Sequence, residues 1–132
     1  MNQETTITLP TTSIAKQTLA AGELYAGIIL GKDGAADYHL ILIPGEVEDV
    51  NWQTAMDWAA EQGGELPTRR EQSLLFTNLK ERFKPSWYWS GEEYPNYSPY
   101  AFVQNFDYGD QDFHDKGNEY CARAVRRVSV IE

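Results

Sequence analysis

Five carboxylates crowd one short stretch of the chain: Asp107, Asp110, Asp112, Asp115 and Glu119. Calcium takes several oxygen ligands from a single loop, so this is the first place to look for metal chemistry. The spacing fails the EF-hand test. Counting from Asp110, His114 falls at the fifth position, Asp115 where glycine belongs, and Cys121 where the bidentate glutamate should stand. The stretch reads as an acidic, solvated hairpin with no metal cofactor. His39 and His114 are the only histidines, and neither has a second histidine or a cysteine near it at metal-ligand spacing. A histidine base needs a nucleophile, and Ser90 lies in Trp89-Ser90-Gly91 without a Gly-x-Ser-x-Gly elbow. There is no glycine-rich phosphate loop and no His-Glu-x-x-His helix. Cys121 is the sole cysteine, which excludes an intrachain disulfide and a zinc cage of several thiolates; within an alternating apolar segment it reads as a buried, inert thiol. The residue types therefore point away from an enzyme.

The other chemistry on offer is aromatic. Trp87, Tyr88, Trp89, Tyr94, Tyr97, Tyr100, Tyr108 and Phe113 are denser than a core alone requires. Tyrosine and tryptophan bring large amphipathic area at low entropic cost, which is why binding surfaces use them. Trp89 and one neighbour read as core. Tyr94, Tyr97 and Tyr100 surround a Pro/Asn/Ser loop at 91–99 and are the candidate contacts, with Tyr94 and Tyr97 foremost. Tyr108 and the acids Asp110, Asp112 and Asp115 extend that candidate surface along the next loop.

The elements that would hold these loops are marked by their punctuation. Gly63-Gly64 ends one helix, Pro67 restricts Leu66 to an extended shape, and Thr68 with Glu71 forms a Thr-x-x-Glu capping box. A helix is expected from Arg69, with Leu75, Leu79 and Phe83 on one stripe beside Leu74 and Phe76, ended by Pro85. The preceding helix is expected from Trp52 to about Gln62, with Asn51 as its N-cap. Trp52, Ala55, Met56 and Ala59 form its inner side, and Asp57 and Glu61 face solvent. Upstream, 23–30 and 38–43 flank the turn Gly31-Lys32-Asp33-Gly34 as a β-hairpin whose apolar runs suggest central strands covered on both faces. Downstream come strands at 87–90, 100–106 and 111–114, with Phe102 and Phe106 on one face, and a last strand at 119–128. The expected fold is α+β: an N-terminal β-hairpin, two grouped helices and a C-terminal antiparallel β-meander.

The 132 residues fit one domain at 21–132 after a polar, threonine-rich arm at 1–20, punctuated by Ile7, Leu9, Ile14 and Leu19, that could assist assembly. Nothing in the sequence sets the oligomeric state. The net charge is −9, from 20 acids against 11 bases, which repels DNA, RNA and anionic membrane and fits a partner with a basic surface. Residues 1–10 lack a basic start and a continuous apolar stretch, and no 18 apolar residues run together, so a cytoplasmic or virion-associated protein is expected.

Taken in order, the helix carrying Trp52, Ala55, Trp58 and Ala59, then Leu66-Pro67-Thr68 with Glu71, Tyr88-Trp89-Ser90, and the closing Arg123, Val125 and Arg126 resemble the Lcl C-terminal domain family of bacterial and prophage proteins. The resemblance covers roughly residues 23–128 and implies a C-type-lectin-like fold. The paired Glu-Pro-Asn and Trp-Asn-Asp calcium motifs of such lectins are absent, and Tyr94-Pro95-Asn96 has tyrosine where the carboxylate would be. Calcium-dependent lectin activity is therefore not implied. Two functional classes follow. One is a recognition module presenting aromatic and acidic loops to a protein or glycan; the other is an acidic phage-type inhibitor or nucleic-acid mimic that blocks a basic groove. Rising salt weakens the second steeply and the first little.

Overall fold

The structure, a computed structural model, describes residues 19–130. Residues 1–18, most of the expected arm, lie outside the described residues. Between these limits the chain forms eight strands and two α-helices: β1 (Leu24–Ile29), β2 (Tyr38–Leu42), β3 (Val47–Val50), α1 (Trp52–Glu61), α2 (Arg69–Leu79), β4 (Trp87–Glu93), β5 (Tyr100–Asn105), β6 (Gln111–Asp115), β7 (Tyr120–Ala122) and β8 (Val125–Ser129). None of the described helices is long and apolar enough to cross a membrane.

The strands form two sheets, a small one ordered β1-β2-β8 and a large one ordered β3-β7-β4-β5-β6. α1 starts where Asn51 Oδ1 accepts the amide of Thr54 at 2.9 Å, and α2 starts at a complete capping box on Thr68. α1 lays Trp52, Ala55 and Ala59 against Trp89, Ala101, Val103 and Ala122 on one face of the large sheet. α2 serves the other face, where Leu75 joins Tyr88, Phe106 and Cys121 to Leu40, Leu42 and Val125 of the small sheet. Strand and helix periods match along this second seam. Phe102 and Gln104 alternate along β5, Phe106 follows just past its end, and opposite them stand Arg69, Gln72 and Phe76 of α2. Two indole N–H groups lock the layers, from Trp52 to the carbonyl of Ser90 and from Trp89 to that of Val50, each at 2.9 Å.

Several expectations are corrected. The last strand is two: β7 belongs to the large sheet and β8 to the small, because the chain crosses between sheets at Arg123-Ala124, where Ala124 accepts the amide of Ile43 and Val125 bridges Glu65. Cys121, Ala122, Ala124 and Val125 are all buried, so the apolar pattern runs on through the break. The C-terminal region is not wholly an antiparallel meander either. β4, β5 and β6 are one, but β7 runs parallel to β4 and antiparallel to β3. Among the described residues only β2 of the first hairpin is central and β1 lies at the edge, and Ile28 is only partly buried. β3 forms within the acidic run before Asn51, where Val47 and Val50 join the α1 core and Glu48 and Asp49 face water. β4 continues past Ser90 to Glu93 through an irregular register. α2 ends at Leu79, short of Pro85, and tightens to a 3₁₀ turn at Lys80–Arg82.

Candidate functional site

The β4–β5 loop folds back on its own strands, because Tyr94 donates its amide to the carbonyl of Tyr100 and Tyr100 donates to that of Tyr97. The turn brings the candidate tyrosines beside β6, which ends the strand order of the large sheet among the described residues. There Tyr94 stacks on Phe113, centroids 4.0 Å apart and planes within 9°. It also meets Phe102 edge-on at 5.6 Å, and Tyr97 meets Tyr100 edge-on at 4.9 Å. Tyr100 lies 5.9 Å from Phe113, so the rings run without a gap from Tyr97 to Phe102. The two ends differ. Tyr94 is half-buried in the stack, whereas Tyr97 stays 54% exposed and Phe113 37%.

A polar wall flanks the rings. The guanidinium of Arg69, the first residue of α2, sits 3.9 Å over Phe102, and its Nε donates to Gln111 Oε1 at 3.0 Å. Glu92 accepts the Arg69 amide at 2.8 Å. Arg69, Arg70, Ser73, Glu92 and Gln111 line a shallow depression of about 360 Å³ beside the aromatic face.

Of the remaining candidates Asp115 borders this surface, as the register partner of Tyr100 and on the Phe113 face of β6, and Tyr108, Asp110 and Asp112 lie elsewhere. Tyr108, 81% exposed, and Asp110 lie in the β5–β6 turn, at the far end of the hairpin from Tyr100 and Asp115, about 17 Å away at ~3.3 Å per residue. Asp112 and Asp115 sit on opposite faces of β6 by strand alternation. Asp112 Oδ1 accepts the amide of Phe113, and its Oδ2 lies 3.2 Å from His114 Nε2, while His114 Nδ1 lies 2.7 Å from the Tyr120 hydroxyl. Asp115 accepts the amide of Gly117. Asp112 and Asp115 thus tie down an edge and a turn at separate points. No three histidine, cysteine or carboxylate groups among the described residues come close enough to hold a metal ion.

Trp89 is fully buried, and Tyr88 nearly so at 2%. Thr68 Oγ1 accepts the Glu71 amide at 3.2 Å, and Glu71 Oε1 returns a bond to the Thr68 amide at 2.8 Å. Glu71 does more than close this box. It is wholly buried and also accepts from Arg127 Nε at 2.6 Å, Arg127 Nη2 at 2.9 Å and the Tyr38 hydroxyl at 2.5 Å, joining α2 to β8 and β2. Burial works to raise the Glu71 pKa, but these hydrogen bonds outweigh it and hold the carboxyl below its ordinary value. Burial, helped by the Glu71 charge, pushes Tyr38 up to about 12. Arg127 and Arg69 escaped the sequence reading. Strand alternation offered a signal for the first, since Val125 and Arg127 must share a face and a cation on a buried face needs an acid. Nothing offered one for Arg69, whose partner Phe102 belongs to a distant strand. No protein-family model matches the chain, and no curated protein matches it.

Proposed function

We propose that this chain is a non-enzymatic recognition module that presents the aromatic face of Tyr97, Tyr100, Phe113 and Tyr94 to a protein or glycan. The observation that carries the reading is the exposure of Tyr97 and Phe113 at the end of a continuous run of packed rings. Preordered aromatic area loses little entropy on binding, and the Arg69, Glu92 and Gln111 wall supplies directional polar contacts. The same reading takes the fold as C-type-lectin-like and the chain as a relative of the Lcl C-terminal domain family, on the order of Leu66-Pro67-Thr68, Tyr88-Trp89-Ser90 and Arg123 to Arg126. An acidic inhibitor or nucleic-acid mimic has less support. Beyond the net charge it needs a continuous field of carboxylates, and here Glu23, Glu46, Glu48, Glu65, Glu71 and Glu93 are each paired with a cation. The test is capture from a bacterial lysate by the parent chain and by Tyr97→Ala, at low and high salt. A partner held by the parent in high salt and lost by Tyr97→Ala supports the reading; equal capture by the two, or capture confined to low salt, overturns it.

A further inference from the structure

α2 opens against its own dipole. Its first two residues are Arg69 and Arg70, cations at the end of a helix where the aligned peptide groups favour anions. The one acid of that turn, Glu71, is buried and claimed by Arg127. The chain holds 20 acids against 11 bases, and Lys84, Lys116, Arg126 and Arg127 each find a carboxylate. Arg69 and Arg70 form no ion pair among the described residues, although Glu92 stands beside them with its carboxylate on the Arg69 amide. Both guanidiniums are nevertheless held in place. Arg69 is fixed over Phe102 and by its Nε on Gln111, whose Nε2 returns a bond to the Arg69 carbonyl at 2.8 Å. Arg70 is fixed by Nη2 on the carbonyl of Leu30 at 2.9 Å. Among the described residues neither terminal nitrogen of Arg69, nor Nε or Nη1 of Arg70, is engaged, and both residues line the open depression of about 360 Å³. Arg123 differs, since its two terminal nitrogens are spent on the carbonyls of Arg82 and Ile43. Two held guanidinium forks with free N–H groups, at the rim of an exposed aromatic surface, are fitted to a planar anion.

We propose, resting on the recognition role of the aromatic face, that Arg69 and Arg70 are its anion-reading end and take the carboxylate of an Asp or Glu in a protein partner, whose neighbouring apolar side chain packs on Tyr97 and Phe113. Charge selects this occupant at two ranges. The net charge of −9 turns phosphate- or sulfate-rich chains away at a distance, and Glu92 and Asp115 on the same surface oppose a second anionic group close by. One carboxylate is matched by the two arginines; a run of anions is not. The spacing is that of a short peptide. The Arg69 guanidinium sits 3.9 Å over Phe102, whose ring centroid is 6.3 Å from that of Phe113, so acid and apolar anchor stand about two or three extended residues apart. Tyrosine and arginine are also the residues on which protein interfaces concentrate their energy.

The test is selection from a displayed library of random twelve-residue peptides on the parent chain, Arg70→Gln and Tyr97→Ala. Arg70 is exposed and bonds only the Leu30 carbonyl among the described residues, so Arg70→Gln should melt with the parent. Support is an excess of Asp or Glu two or three residues from an apolar side chain among the peptides that the parent holds. Such a peptide should bind Arg70→Gln about tenfold more weakly, and its Asn or Gln analogue should not distinguish the two proteins. Peptides without that acid, or acidic peptides held equally by Arg70→Gln, overturn the proposal and leave the aromatic face standing when Tyr97→Ala still releases them. Peptides indifferent to Tyr97→Ala overturn the recognition role itself and the proposal with it, as does a library from which the parent enriches nothing. Release of an acidic peptide by inorganic phosphate, and not by acetate at equal ionic strength, overturns the carboxylate and assigns the arginines to a phosphate group.

Discussion

Glu71 shows how one side chain can hold more than its local element. It closes the α2 cap and anchors Arg127 of β8 and Tyr38 of β2 while wholly buried. Removing one partner of such a pair strands the other, so Glu71→Ala should lose about 3–5 kcal/mol in denaturant melts. Thr68→Ala loses only the cap, about 1 kcal/mol. A Glu71→Ala variant no weaker than Thr68→Ala would reduce Glu71 to a capping residue. The pH dependence follows in sign. The folded pKa lies below the ordinary carboxylate value, so the contribution is present above that value and drains away as pH falls through the folded one; the acid limb of a melting-temperature profile should flatten in Glu71→Gln. On the aromatic face the two leading tyrosines part company. Tyr97→Ala should keep stability within about 0.5 kcal/mol and weaken partner binding by roughly 1–2 kcal/mol. Tyr94→Ala should lose roughly 1 kcal/mol of folding stability, because its ring is stacked on Phe113. Calorimetry of both, beside titration with the captured partner, separates contact from packing. The exposed placement of Tyr97 was legible from its polar, turn-rich loop. The stacking of Tyr94 was not, since Phe113 comes from another strand.

At the scale of elements, legibility follows how local the determining physics is. Both helices were readable because their caps lie within four residues of their starts, and the Gly31–Gly34 turn announced its hairpin. β3 and the break between β7 and β8 were not, because each is decided by a partner strand far along the chain: β7 for β3, and β2 for β8. The β5–β6 turn offers a direct test of how tightly hairpin and helix fit. Gly109 has φ +87°, and a methyl group there would lie 2.8 Å from the Phe76 ring of α2. Gly109→Ala should therefore lose about 1–3 kcal/mol, through backbone strain and overpacking together. Phe76→Ala made in the same chain should recover the packing part of that loss, which a double-mutant cycle measures. A neutral Gly109→Ala would show that the turn can move off the helix without loss.

For the molecule as a whole, no three acids of the 107–119 stretch converge among the described residues, so thermal melts with chelator and with added calcium should coincide; a calcium-induced rise of several degrees would mean that the acids converge after all. The aromatic face and the Glu71–Arg127 pair share no partner, so Tyr97→Ala and Glu71→Ala should add, within about 0.5 kcal/mol. The position of β8 has a consequence of another kind. This last described strand pairs with β2, more than eighty residues earlier, and its Arg127 supplies the counter-charge for Glu71. During synthesis β2 must therefore wait as an unpaired edge, with Leu40 and Leu42 ready and the Glu71 carboxylate unmatched, until residues 125–129 have left the ribosome. Such long-range pairing folds late and slowly. The acids on and beside β6, one of them already bound to the outward amide of Phe113, would then guard the other exposed edge against intermolecular pairing while the chain waits for its closing strand.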